Sequence, residues 1–128
     1  EELDAADAIV VVSPEYNGSY SPALKNALDH FPKKTYEHKA IGICSVSVGG
    51  MGGIRAGQQM QRLALDLGAH PTPQMLLVGK VTDKFDEHGN LTDDAFLPSM
   101  NTFLAKFVAL AASLKAMRNE QFTTAAIK

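Results

Sequence analysis

Two stretches of this sequence hold residue types able to grip a ligand. The first runs Ser13-Pro14-Glu15-Tyr16-Asn17-Gly18-Ser19-Tyr20-Ser21-Pro22. Its prolines fix the backbone at either end, and Asn17-Gly18 suits a tight turn. Backbone amides and the Tyr16 ring can therefore be held toward one fixed ligand. The second stretch is Ser45-Val46-Ser47-Val48-Gly49-Gly50-Met51-Gly52-Gly53-Ile54-Arg55. Small residues there let a flat ring approach the backbone, over a helix start that favours negative charge. A tight turn into the helix is the plainer use of the same glycines. It is not a dinucleotide fingerprint, because Arg55 stands where G-x-G-x-x-G needs its last glycine. It also lacks the Lys-Ser/Thr ending of a Walker loop.

Other chemistry finds little support. Ser13 has neither a G-x-S-x-G elbow nor an obvious His partner, which argues against a hydrolase. His30, His38, His70 and His88 lack the i, i+4 spacing of a helical metal site, so capping or surface roles are expected. Asp83, Asp86, Asp93 and Asp94 crowd one segment without the calcium-loop glycine in place, and read as a solvated acidic turn. No metal site and no acid–base side chain is expected. The single cysteine, Cys44, lies in an apolar run and excludes a disulfide framework; it fits a reducing compartment.

The bulk properties narrow the class further. A chain of 128 residues with 45% hydrophobic content suits one domain, residues 1–128, with a core that needs no staples. A net charge of −2 and a pI near 6.1 argue against a nucleic-acid partner. No apolar run is expected to reach the roughly 20 residues that cross a bilayer, so no membrane partner is expected. Glu1-Glu2-Leu3-Asp4 lacks the basic opening of a signal peptide, and the expected location is cytoplasmic.

The elements that must position the two stretches follow from periodicity. Glu1 to Asp7 reads as a helix tail leading into a strand. Ala8 to Val12 is a continuous Val/Ile run, as expected of a strand covered on both faces. Ser21 offers an N-cap with Pro22 at the first helical position, and Leu24, Ala27, Leu28 and Phe31 share one face before Pro32 stops the helix. Ala40 to Val46 is the second strand. Ile54 to Leu67 is a helix with Met60, Leu63, Ala64 and Leu67 inward, stopped by Gly68 and Pro71. Met75 to Val78 is the third strand. Two successive crossover units imply a parallel α/β sheet, with both polar stretches at the carboxyl ends of its strands, where open sheets bind ligands. Asp86 to Asn90 is a polar turn. A last helix carries Phe96, Met100, Phe103, Leu104, Phe107, Ala111 and Leu114 toward the core, with Pro98 either kinking its first turns or marking its start. From Gln121 the pattern fades into a frayed tail.

The run from Ser13 to Pro22, continued by Ala23-Leu24-Lys25-Asn26-Ala27-Leu28-Asp29, closely resembles the signature segment of the NAD(P)H-dependent FMN reductases, the flavodoxin-like quinone, azo and chromate reductases. The family also carries a small-residue loop followed by Gly-Gly-x-Arg, as Gly52-Gly53-Ile54-Arg55 stands here. The resemblance extends from Leu3 to about Met117 and implies a flavodoxin-like open parallel sheet with helices on both faces. In chain order it begins at the family's third strand. The N-terminal β-α-β portion, with the serine- and arginine-rich loop that wraps the FMN phosphate, has no counterpart in the sequence.

The resemblance further implies FMN as cofactor and NAD(P)H as co-substrate. Pro14, Glu15, Tyr16 and Asn17 would lie against the isoalloxazine ring, their amides and the Asn17 side chain bonding its edge. Val46, Ser47, Val48 and Gly49 would offer backbone contacts to its pyrimidine side. Glu15 is expected to be structural. Arg55 is either a contact for the nicotinamide cofactor's phosphates or a subunit-interface ion pair. Flavin N5 would take hydride and pass electrons to a small-molecule acceptor (quinone, flavin, azo dye or metal oxyanion) with no catalytic side chain. A homodimer or homotetramer is implied. A flavodoxin-type electron carrier and a non-catalytic remnant that keeps the fold are the alternatives.

Overall fold

A computed structural model describes residues 2–121. The elements follow in the order α1 (Glu2–Ala5), β1 (Ala8–Pro14), α2 (Pro22–Asp29), β2 (Ala40–Val46), α3 (Ile54–Asp66), β3 (His70–Pro71), β4 (Leu76–Val78), α4 (Val81–Lys84) and α5 (Leu97–Gln121). Every strand pairing is parallel. β1 lies beside β2 in unbroken register from Ala8↔Ala40 to Pro14↔Val46. The other edge of β2 takes β3 at its start and β4 at its end.

The third strand is therefore two pieces rather than the single run from Met75. Thr72 still donates its N–H to the Ile41 carbonyl at 2.9 Å, but Pro73 has no N–H to continue the ladder, and pairing resumes only at Leu76. α3 ends as its sequence implies, one residue earlier than expected. Gly68 takes φ +78°, the Gly68 N–H donates to Leu65 O and the Ala69 N–H to Ala64 O. That is a Schellman stop, which satisfies two orphan carbonyls.

Helices cover both faces of the sheet. On one, Met60, Leu63, Ala64 and Leu67 of α3 bury against Val11, Ile41 and Ile43, with Leu28 of α2 and Tyr36 completing the core. Tyr36, unremarkable in sequence, is fully buried and donates its hydroxyl to Leu28 O at 2.8 Å, closing off the end of α2. On the other face α5 crosses β2 at Gly42. A Cβ there would stand 3.0 Å from both Phe103 and Phe107, so glycine admits the helix. Cys44, Val78 and Phe96 form a smaller cluster on this side. Burial pushes the Cys44 thiol up to about 11.

Several expectations are corrected. Only one face of β1 is covered, since Val10 and Val12 are 43% and 57% exposed. They share the α5 side of the sheet through their partners Gly42 and Cys44. α5 packs over β2 and leaves the outermost strand bare. α2 stops at Asp29, ahead of Pro32, so Phe31 lies outside it. Phe31 and Ala27 instead line an open groove with Leu3, Ala6 and Ile9. Leu104 is exposed, while Phe96 sits in a 3-10 turn, Asp94–Phe96, ahead of α5. Pro98 is the second residue of α5 and marks its start. The stretch Asp94–Glu120 also reaches a mean hydropathy of 1.4, long and apolar enough by composition to cross a membrane, contrary to expectation. Here Phe103 and Phe107 set it against Gly42 of β2, and Leu114 is buried. The tail expected beyond Gln121 falls outside the described residues.

Polar ties fasten the start of the chain. Lys39, almost fully buried, donates to the Leu3 and Asp4 carbonyls at 2.8 and 2.9 Å, capping the end of α1. Thr35 donates to the Asp4 carboxylate at 2.7 Å, and Lys115 of α5 to the Asp7 carboxylate at 2.6 Å. These bonds hold both carboxyls below the usual carboxylate range.

Candidate functional site

Because β1 and β2 are parallel and in register, the two polar stretches leave the sheet at the same end, side by side. Three strand-end serines then shape them. Ser13 receives the Ser21 N–H on its hydroxyl at 2.8 Å and donates to Pro14 O, which turns the first loop back onto α2. Ser21 in turn caps α2 by accepting the Leu24 N–H, with Pro22 at the helix's first position, as expected. Ser45, fully buried, reaches the Gly52 and Gly53 carbonyls at 2.5 and 2.6 Å and ties the second loop under itself. Ser47 accepts the Gly49 N–H at 2.9 Å.

The first loop is a miniature hairpin. Tyr16 and Ser19 exchange both backbone hydrogen bonds, at 2.8 and 3.0 Å, around Asn17 at φ +51° and Gly18 at φ +82°. Two successive left-handed residues make the turn that Asn-Gly favours. The second loop needs glycine for closer reasons. A Cβ on Gly53 (φ +72°) would lie 2.5 Å from Ser45 Oγ. Opposite it, a Cβ on Gly79 would lie 2.6 Å from the Gly50 carbonyl. The Lys80 N–H donates to Gly49 O at 3.1 Å and so docks the loop on the chain leaving β4.

Between the loops lies a cavity of about 370 Å³ lined by Glu15, Ser47, Gly49, Gly50, Met51 and Gly53, with Ile54 and Arg55 of α3. The Glu15 carboxylate accepts from Arg55 Nε at 3.0 Å and from its terminal nitrogen at 2.6 Å, with the Ala56 N–H at 3.4 Å. It thus sits at the positive end of α3, its side chain 13% exposed against 69% for Arg55. Larger hollows lie elsewhere, in the groove beside β1 and between α2 and α3, whereas this one is walled by both loops at the sheet's carboxyl end.

The expected site residues divide. Glu15, Ser47 and Gly49 line the cavity, while Tyr16, Asn17 and Val48 stand exposed at the same end of the sheet. Pro14 and Val46 are the paired strand ends beneath them. Not all of them can donate, however. Pro14 has no N–H; the Glu15 N–H goes to Val46 O, that of Tyr16 to Ser19 O, and that of Ser47 to Val78 O. Among the described residues no hydrogen bond takes up the backbone N–H of Asn17, Gly18, Val48 or Gly50. Gly18, Gly50, Met51 and Gln59 were not singled out from sequence. Glycines read there as turn formers, and a helical Gln as surface.

The remaining candidates do not line this cavity. Asp86 spends its carboxylate on the turn, accepting from the Asn90 side chain and from the His88 and Asn90 amides, which lowers its pKa. His38 and His70 come together as stacked rings 6.1 Å apart, which their sequence spacing did not reveal. No three metal-ligating side chains converge among the described residues.

These features define an α/β protein with a candidate cleft at the carboxyl ends of adjacent parallel strands. A family model described as NADPH-dependent FMN reductase matches residues 1–83, and the chain belongs to that family. It is 33% identical over 93 residues to an NADPH azoreductase of Bacillus sp. (strain OY1-2), covering 73% of this chain and 51% of that protein. It is 34% identical over 120 residues to an NADPH:quinone oxidoreductase of Arabidopsis thaliana, covering 90% and 61%. Among solved structures, FerB, a flavoenzyme NAD(P)H:(acceptor) oxidoreductase from Paracoccus denitrificans, superposes with a TM-score of 0.75 at 23% identity, covering 88% of this chain and 64% of that one. That likeness establishes the flavodoxin-like fold. The chain spans roughly half to three-fifths of the length of these curated relatives.

Proposed function

We propose that these residues form the ring-binding part of an FMN-dependent oxidoreductase that draws electrons from NAD(P)H and delivers them to a small-molecule acceptor such as a quinone, a flavin, an azo compound or a metal oxyanion. The observation that carries this reading is the set of uncommitted amides. Asn17 and Gly18 on one loop, and Val48 and Gly50 on the other, offer N–H donors at the same end of two registered parallel strands.

The donor chemistry fits a flavin. Its ring is flat and carries acceptors along one edge, and it gains negative charge there on reduction. Gly50 has open space around the position of a Cβ, so nothing holds a planar ligand away from the backbone. Bound FMN supplies the two-electron redox chemistry; the chain supplies orientation, donors and an open face for the acceptor. The Asn17 side chain adds a further donor at the turn. Among the described residues Arg55 is the only cation lining the cavity, and Glu15 already engages it, so the phosphate would have to be held outside this cavity.

The same reading includes a cytoplasmic homodimer or homotetramer. A flavodoxin-type carrier would bind the same ring without oxidising NAD(P)H. The deciding experiment is FMN titration of a protein of verified mass by flavin fluorescence quenching, followed by NADPH oxidation with a quinone acceptor. Binding with NADPH turnover is expected. Binding without turnover favours the carrier, and no binding overturns the reading.

A further inference from the structure

Arg55 and Gln59 stand four residues apart on α3, so they project from one face of the helix a single turn apart. Together they grip both arms of the Tyr16–Ser19 turn. Arg55 bonds Glu15 before the turn, and its guanidinium lies under Gly18, 3.4–3.6 Å from where a Cβ would stand. Gln59 donates to the Gly18 carbonyl at 2.9 Å and accepts from the Ser19 hydroxyl at 2.6 Å on the far arm. α3 begins directly after the second loop, through Gly53. The helix that ends one wall of the cleft thus also holds the other.

We propose that Arg55 and Gln59 are positioning residues: a two-pronged brace that fixes the Tyr16–Ser19 turn to α3 and thereby sets where Asn17 and Gly18 present their amides. This deepens the flavin reading and rests on it for the identity of the ligand, though the brace itself does not. It gives Arg55 an intramolecular role in place of a phosphate or interface contact. It also gives Gln59 a function that helical periodicity conceals. With every partner on the loop, a short Asn-Gly turn that would otherwise sway in solvent becomes a rigid donor platform.

The brace is tested first without ligand. Amide hydrogen exchange is followed by NMR in the wild-type protein and in Arg55→Ala, Gln59→Ala and Ser19→Ala, with Arg62→Ala as control; among the described residues Arg62 pairs along its own helix with Asp66. Exchange at Tyr16 and Ser19 is expected to quicken about five- to tenfold in the three brace variants, the effect of losing one or two modest hydrogen bonds. β1 and the Arg62→Ala control should not change. Unaltered exchange at Tyr16 and Ser19 overturns the brace.

A second measurement follows FMN affinity and steady-state kinetics. Gln59→Ala and Arg55→Ala should weaken FMN binding by a similar factor and leave the KM for NADPH unchanged, with Arg55→Lys restoring part of the loss. A raised KM for NADPH in Arg55→Ala, with FMN affinity and exchange as in the wild type, would instead make Arg55 a nucleotide contact and overturn the proposal. If the wild type binds no FMN, the flavin reading fails by itself, and the exchange data still decide the brace.

Discussion

Asn17 is the residue on which backbone and chemistry meet most directly. It holds a left-handed φ of +51°, which Asn tolerates better than other side-chain-bearing residues. Among the described residues no hydrogen bond takes up its N–H. Asn17→Ala removes the side-chain donor and strains the turn by about 1 kcal/mol. FMN affinity is expected to fall about tenfold, against no change in Glu87→Ala, whose side chain lies in the exposed turn after α4. Fluorescence titration of the two variants checks this, and equal affinities would remove the ring from this loop. Gly53 is constrained by geometry alone. Its positive φ and the 2.5 Å approach to Ser45 predict that Gly53→Ala destabilises the fold by about 1–3 kcal/mol, measured by urea unfolding.

At the scale of elements, the second loop is held by its contact with the chain leaving β4. Gly79→Ala would drive a methyl against the Gly50 carbonyl, and a backbone atom cannot swing aside as a side chain can. The loop should lift from its dock, with FMN affinity falling more steeply than in Asn17→Ala. The tie between the start of β1 and α5 is electrostatic. The Lys115 hydrogen bond, and then the charges of Lys115 and Arg118, hold the Asp7 carboxyl below its ordinary range. A carboxyl lowered on folding contributes stability above the ordinary carboxylate pKa and loses it as pH falls through its own lowered value. Asp7→Asn should therefore reduce stability at pH 6–7 and flatten the acid limb below about pH 4, as read from denaturant midpoints against pH. Because Asp7 and Lys115 are half-exposed, the difference is expected to be modest.

At the scale of the molecule, the free edge of β1 sets an expectation for behaviour in solution. β1 has no neighbour on its free edge among the described residues, and Val10 and Val12 stand bare on one face. Unpaired N–H and C=O groups beside apolar side chains form a template for another chain. The 128-residue chain on its own is expected to self-associate in light scattering, and Val12→Lys to shift it toward monomer. A monomer at high protein concentration would contradict this account of the edge. Cys44 reports the integrity of the packing between β2, β4 and the segment ahead of α5. With its thiol pushed up to about 11, it should resist a thiol reagent at pH 8 until the protein unfolds. The same shift lowers stability as pH climbs above about 9, because the unfolded chain releases that proton more readily.

What the sequence by itself determined was local or periodic. The Ser21-Pro22 start of α2, the inward face of α3, the Gly68 stop and the Asn17-Gly18 turn each depend on residues within a few positions of one another, and short-range sterics and hydrogen bonding suffice for them. The parallel sheet, with both loops at one end, followed from the strand–helix alternation. Tertiary structure alone decided which amides remain free, because the partners that consume the others (Val46, Ser19, Val78) come from loop closure and strand pairing. It alone joined Arg55 and Gln59 to a turn some forty residues earlier in the chain. It also uncovered Val10 and Val12. An apolar run predicts burial, but which face is covered depends on where α5 crosses, and that is set by the room above Gly42. Pairings between residues far apart in sequence leave no periodic trace, so the cleft's donors became visible only once the strands were side by side.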